Sequence, residues 1–212
     1  MSGFACRWWV VVSLTLLAGC GRGTAKVDRD VPVYATPAEV FAAATEAGAA
    51  KDIAKLYDCY SRQSQRRRAS NLMQPVLVGT LAKDPSPFLD PAWKALEKHG
   101  IRRADLEEIA KDPRKDRPRP LDAVKDYHSL ILDLEAVLPA PDDEQPPFRY
   151  DALKDLTIDG DIAYGIAHAK DKEDAADNVA PMYFVKQDGG WKIDLYRVEP
   201  ETQSLLKGKG KK

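Results

Sequence analysis

The hydrophobic spacing of this chain changes once, and the change falls between Pro139 and Pro147. Before it, apolar residues recur every three or four positions, the period of a helix with one buried face. After it they alternate, the period of a strand. The first helix start is Thr36-Pro37-Ala38-Glu39, where Thr36 caps, Pro37 suits the first helical position and Glu39 completes a capping box. Val40, Phe41, Ala44 and Ala47 form its apolar stripe, and Gly48 with Lys51-Asp52 marks a bend. Ile53, Leu56, Tyr57 and Tyr60 then continue at helical spacing. A third helix is expected over Ser64–Ala82, ended or kinked by Pro75, which removes a donor and crowds the preceding turn. A fourth opens at Asp90-Pro91 and stops at Gly100, and a weaker one covers Ala104–Lys111. Asp112–Pro120 reads as an exposed connector, and Leu121–Leu138 as one continuous helix.

Phe148–Ile158 has strand composition, and Asp159-Gly160 is a hairpin signal. Ile162, Tyr164, Ile166 and His168 alternate with Ala163, Gly165, Ala167 and Ala169, giving one bulky face and one small face on which a helix can lie close. After an acidic loop, Asp171–Asn178, a third strand is expected over Pro181–Gln187, a turn at Asp188-Gly189-Gly190 and a fourth strand over Trp191–Arg197. Helices first and antiparallel strands second define an α+β fold: N-terminal helices on a curved, cone-like C-terminal sheet of about four strands.

Lys and Arg number 32 against 33 Asp and Glu, a net charge of −1, which lacks the basic excess of a nucleic-acid-binding protein. Of three cysteines, Cys6 and Cys20 lie near the N-terminus and Cys59 sits within Leu56-Tyr57-Asp58-Cys59-Tyr60, where it reads as a small buried hydrophobe. The N-terminal segment has Arg7 as its positive flank and an apolar run from Trp8 to Ala18, too short to span a bilayer as a helix. It closes on Leu17-Ala18-Gly19-Cys20, which resembles the lipobox of bacterial lipoproteins. That resemblance implies cleavage before Cys20 and lipidation of its thiol, since a thiolate is the nucleophile the thioether requires. The expected organisation is a signal peptide over 1–19, a flexible tether over 20–33, one α+β domain over 34–200 (helical over 34–139, stranded over 146–198) and a disordered basic tail over 201–212.

Two segments carry a second resemblance. The bent entry Ala49–Ser61 and the ending Met182-Tyr183-Phe184-Val185-Lys186-Gln187-Asp188-Gly189-Gly190-Trp191-Lys192-Ile193-Asp194 resemble the nuclear transport factor 2-like (SnoaL-like) superfamily. The likeness covers under half the chain, and the helical stretch Ser64–Leu138 is longer than that family carries. It implies helices packed into a curved sheet around a cone-shaped pocket. The family includes isomerases, dehydratases, hydrolases, adaptors and ligand-binding domains, so the fold implies no single activity. Its isomerases use an acid/base carboxylate and a tyrosine-based oxyanion hole, for which no spaced motif here fixes equivalents.

Candidate chemistry is sparse. Tyr57, Tyr60, Tyr164, His168 and Tyr183 are the expected pocket-lining residues, with Tyr196 a fifth tyrosine in the same segments. A neutral His168 imidazole can serve as general base if its strand face lines a pocket. Tyrosines at such spacing also act as core bodies with their hydroxyls at the rim. His99, before Gly100, reads as a helix-end cap, and His128 as a boundary residue of an apolar stripe. The acidic loop lacks the spacing of a calcium-binding loop. No Gly-x-Ser-x-Gly, His-Glu-x-x-His, Walker-type loop or Cys-x-x-Cys occurs, and no cofactor or metal is expected. Arg66-Arg67-Arg68 and the lysine-rich tail suit either a solvated face or anionic lipid heads.

The expected protein is therefore a bacterial lipoprotein facing the periplasm from the inner or outer membrane. Its expected task is non-enzymatic binding of a small apolar ligand or an envelope protein. The alternatives are an isomerase-, dehydratase- or hydrolase-type enzyme using His168 and tyrosines, and a structural envelope protein.

Overall fold

The computed structural model describes residues 30–80, 86–105, 120–139, 148–169 and 179–197. The segments expected to be a signal peptide, a tether before residue 30, a proline-rich connector, an acidic loop and a basic tail lie outside these residues. From Val31 on, the described residues belong to one compact unit.

Helix α1 spans Pro37–Ala49 and starts as its sequence requires. Thr36 Oγ1 accepts from Glu39 N at 3.2 Å, and Glu39 Oε2 accepts from Ala35 N at 2.8 Å. Gly48 has no room for a side chain: a Cβ there would stand 2.6 Å from the Phe148 carbonyl oxygen. That contact seats the end of α1 on the chain entering the sheet, with Phe41, Phe148 and Tyr150 meeting edge to face at 5.6 Å each. The chain then bends through Lys51 at φ 54°, and Asp52 caps the short α2, Ile53–Asp58.

Helix α3, Arg62–Thr80, runs through Pro75 instead of ending there. Asn71, whose carbonyl loses its helical donor to Pro75, is exposed, so water can satisfy it, and Met73 and Val76 on either side of Pro75 are buried. Helix α4 spans Leu89–Lys98, followed by Gly100 at φ 84°. The continuous helix expected over Leu121–Leu138 is two pieces, a 3₁₀ turn at Pro120–Ala123 and helix α5, Tyr127–Glu135. Asp126 separates them. Its carboxylate takes Ser129 N at 3.1 Å and Ser129 Oγ at 2.6 Å, so a local cap outcompetes continuation of the helix.

Four strands follow, β1 (Tyr150–Asp159), β2 (Ile162–Ala169), β3 (Val179–Gln187) and β4 (Gly190–Ile193), paired antiparallel in that order. The β3–β4 turn uses Asp188 at φ 52° and Gly189 at φ 82°, the two positive-φ positions of a type I′ hairpin. A bulge between Lys154 and Thr157, with Asp155 at φ 51°, interrupts the β1–β2 ladder. Strand β4 ends at Ile193, four residues earlier than its sequence suggests. Beyond it, buried Asp194 and the Leu195 amide turn into a hydrogen-bond network with Ser64.

The β4 edge is closed by earlier chain. Ser61 N donates to Ile193 O and Ile193 N to Cys59 O, both at 2.8 Å, while Trp191 N donates to Tyr34 O at 2.9 Å. Buried Lys192 completes this clip, with Nζ donating to Asp58 O at 2.7 Å and Pro32 O at 3.2 Å beneath the Tyr34 ring. The helix-facing side of the sheet, including Ala163, Ala167, Met182, Phe184 and Ile193, joins Val40, Phe41, Leu56, Leu130, Ile131 and Leu134 in one buried cluster. The architecture is α+β, helices first and an open four-stranded antiparallel sheet after.

Candidate functional site

Small residues on β2 face the helices, so its bulky residues face the other way. Ala163, Gly165 and Ala167 are buried, while Ile162, Ile166 and His168 are half-buried and Tyr164 is 46% exposed. Register extends this face across the sheet: Ile162 pairs with Val185, Tyr164 with Tyr183, Ile166 with Pro181 and His168 with Val179. On the β1 side Asp159, Thr157 and Lys154 stand opposite Ile162, Tyr164 and Ile166. The result is an aromatic pair at the centre, aliphatic residues around it and a charged rim. Paired side chains in an antiparallel sheet lie within contact distance, so Tyr164 and Tyr183 form one ridge.

The structure therefore divides the five sequence-selected residues. Tyr164, His168 and Tyr183 share the open sheet face; Tyr57 and Tyr60 lie buried among the helices with their rings edge to face at 5.8 Å. Tyr57 Oη donates to Glu135 Oε1 at 2.6 Å, and Arg68 Nε reaches Tyr57 Oη at 3.0 Å and Glu135 Oε1 at 3.1 Å. Burial first, and the Glu135 hydrogen bond second, push the Tyr57 phenol above its ordinary range. It stays protonated and acts as a fixed donor. Burial also dominates at Cys59, whose raised thiol pKa disfavours the nucleophilic thiolate. Cys20 lies outside the described residues.

His128 is buried on α5, with Nε2 2.9 Å from Ala54 O and 3.4 Å from Asp58 Oδ1. His99 ends α4 and meets Asp133 Oδ2 through Nε2 at 2.7 Å, as does Lys98 Nζ at the same distance. Burial raises the Asp133 pKa, but the Lys98 and His99 hydrogen bonds outweigh it and leave the carboxyl below its ordinary value. A depressed carboxylate contributes stability that is present above the unfolded-state pKa, about 3.9, and lost as the pH falls through the folded value. Asp133→Asn should thus destabilise at neutral pH by about 1 kcal/mol or less, because the pair is partly solvated. Urea titrations at descending pH should show the wild-type advantage shrinking below the ordinary carboxylate range. An advantage independent of pH would refute this.

Sequence reasoning missed Val179 and Val185 as members of the open face. Their signal was the alternation within Val179–Gln187, which places them opposite His168 and Ile162 once the hairpin register is known. Among the described residues no cluster of His, Cys, Asp or Glu is arranged to hold a metal ion, and no helix is long and apolar enough to cross a membrane. No protein-family model, curated protein or solved structure matches the chain.

Proposed function

We propose that this chain is a lipid-anchored protein of the bacterial cell envelope, held through Cys20, that binds a partner protein on the open face of its sheet. The observation that carries the reading is the band formed by Ile162, Tyr164, Ile166, Val179, Tyr183 and Val185, with Tyr164 and Val179 46% and 39% exposed. An apolar patch with an aromatic centre and a charged rim has the anatomy of a protein interface. Of the two ligand classes expected from the sequence, a partner protein is favoured over a small apolar molecule because the helix-facing side of the sheet is filled with core side chains. The enzymatic alternative gains no such support: among the described residues no carboxylate is hydrogen-bonded to His168.

The test places a photo-crosslinking phenylalanine analogue at Tyr164 in the full chain, expressed in a bacterial envelope. The expected result is an adduct with a second envelope protein, lost when Ile166→Asp puts a charge into the band. Absence of any adduct overturns the reading, and adducts only between copies of this chain replace it with the structural alternative. Anchoring is read separately. Cys20→Ala should abolish incorporation of labelled palmitate, and unchanged labelling would refute the lipid site.

A further inference from the structure

Arg62 and Arg66 stand one turn apart on α3, the spacing that brings two side chains onto one helix face. Like charges at that spacing repel, and here they also sit near the positive end of the helix dipole, with no acidic residue in the first turn to offset them. Both line a cleft of about 470 Å³ together with Gln63, Asp122 and Tyr127, a size within the range of small-molecule sites. Tyr127 forms its aromatic wall. The Arg62 guanidinium lies 5.8 Å from the Tyr127 ring centroid, and the Tyr127 hydroxyl is tied to Leu121 O at 2.8 Å. Arg62 has no carboxylate partner among the described residues. Arg66 pairs with Asp122 across the cleft, and both members of that pair are more than 40% exposed.

We propose that this cleft binds a phosphate-bearing group, with Arg62 and Arg66 as its cationic clamp, Gln63 as a neutral donor and Tyr127 as the wall for whatever the phosphate is attached to. Guanidinium forks match phosphate oxygens in geometry and charge. Asp122 occupies Arg66 as an internal counter-anion. The Asp122 side chain is 45% exposed, so a phosphate can displace its carboxylate from Arg66 while the turn's own contact, Leu121 O to the Tyr127 hydroxyl, stays in place. The phosphate belongs either to a lipid headgroup or to a soluble phosphoester. The proposal is independent of the sheet face, which lies on other elements.

Equilibrium dialysis of the full chain in an uncharged maltoside detergent, against radiolabelled inorganic phosphate, is the test. Saturable binding at one site is expected, weakened about ten-fold or more by Arg62→Gln and strengthened several-fold by Asp122→Asn. Arg62 and Asp122 are exposed, and unchanged circular dichroism verifies that both variants fold. Competition names the source: displacement by dihexanoyl-phosphatidylglycerol well below the inorganic phosphate concentration assigns a headgroup, and preferential displacement by a soluble phosphoester such as glycerol phosphate assigns the other. No saturable binding, or equal binding by wild type and Arg62→Gln, overturns the site.

Discussion

Phe184→Ala should lower the melting temperature of this protein by roughly 6–20 °C, the largest effect expected of any single truncation described here. Phe184 is fully buried at the centre of β3, opposite Ala163 on one side and Ile193 on the other. Neither neighbour can fill the space it leaves. Ala163 is small, and Ile193 is held by backbone hydrogen bonds to residues 59–61. Loss of a buried phenylalanine with incomplete collapse costs about 3–5 kcal/mol, and a domain of this size shifts about 2–4 °C per kcal/mol. Thermal melts followed by circular dichroism are the check, and a shift under 3 °C would mean that the position is not packed as described. Tyr183 is the next residue on the opposite face of the same strand. The proposed docking through the open face should therefore weaken in parallel with the loss of stability.

Asp194→Ala should come second, at about 2–4 kcal/mol. Ser61, Ser64 and Asp194 are all buried, and their polar atoms are matched to one another. Ser64 Oγ accepts from Leu195 N at 2.9 Å, receives the Ser61 hydroxyl at 3.1 Å and donates to Asp194 Oδ1 at 3.2 Å. The same carboxylate oxygen accepts Tyr196 N at 3.3 Å. Alanine leaves the buried Ser64 hydroxyl without its acceptor, and that desolvation is the main cost, the Tyr196 amide being part-exposed and able to turn to water. Asp194→Asn keeps an acceptor of similar shape and should lose about half as much. In urea the midpoint should fall with unchanged slope for both variants. Equal losses for alanine and asparagine would show that packing, not the network, sets the effect.

The same network explains where sequence reading stopped. Strand β4 has strand-like residues past Ile193, and its end is decided by Ser64, 130 positions earlier. No local pattern contains that information. At Asp126 the information was local but divided: helical spacing continued across it, while its side chain offered a cap, and the cap prevailed. Pro75 was an ordinary breaker by its chemistry, and only the solvent exposure of Asn71 made it tolerable. What was legible had one cause each: the period switch near residue 140, the Thr36-Pro37-Glu39 start and the Asp188-Gly189 turn. The open face was half legible. Alternation put Ile162, Tyr164, Ile166 and His168 together, but which side of a sheet is covered depends on where the helices pack. That is why Tyr57 and Tyr60, chosen with them, belong to the helix-facing interior.

The clip at the β4 edge has a mechanical consequence. Any pull carried along the chain preceding Val31 reaches the domain first at Pro32 and Tyr34, where it loads Lys192 Nζ, the Trp191 amide and the Tyr34–Cys59 contact at 3.6 Å. The first two sit on β4 and the third on Cys59 at the end of α2, so tension enters at the strand edge and at the segment paired with it. For a body tethered at its N-terminus, the edge acts as a strain relief. Under the proposed anchoring at Cys20, drag on the preceding chain would load these contacts before it reaches α1.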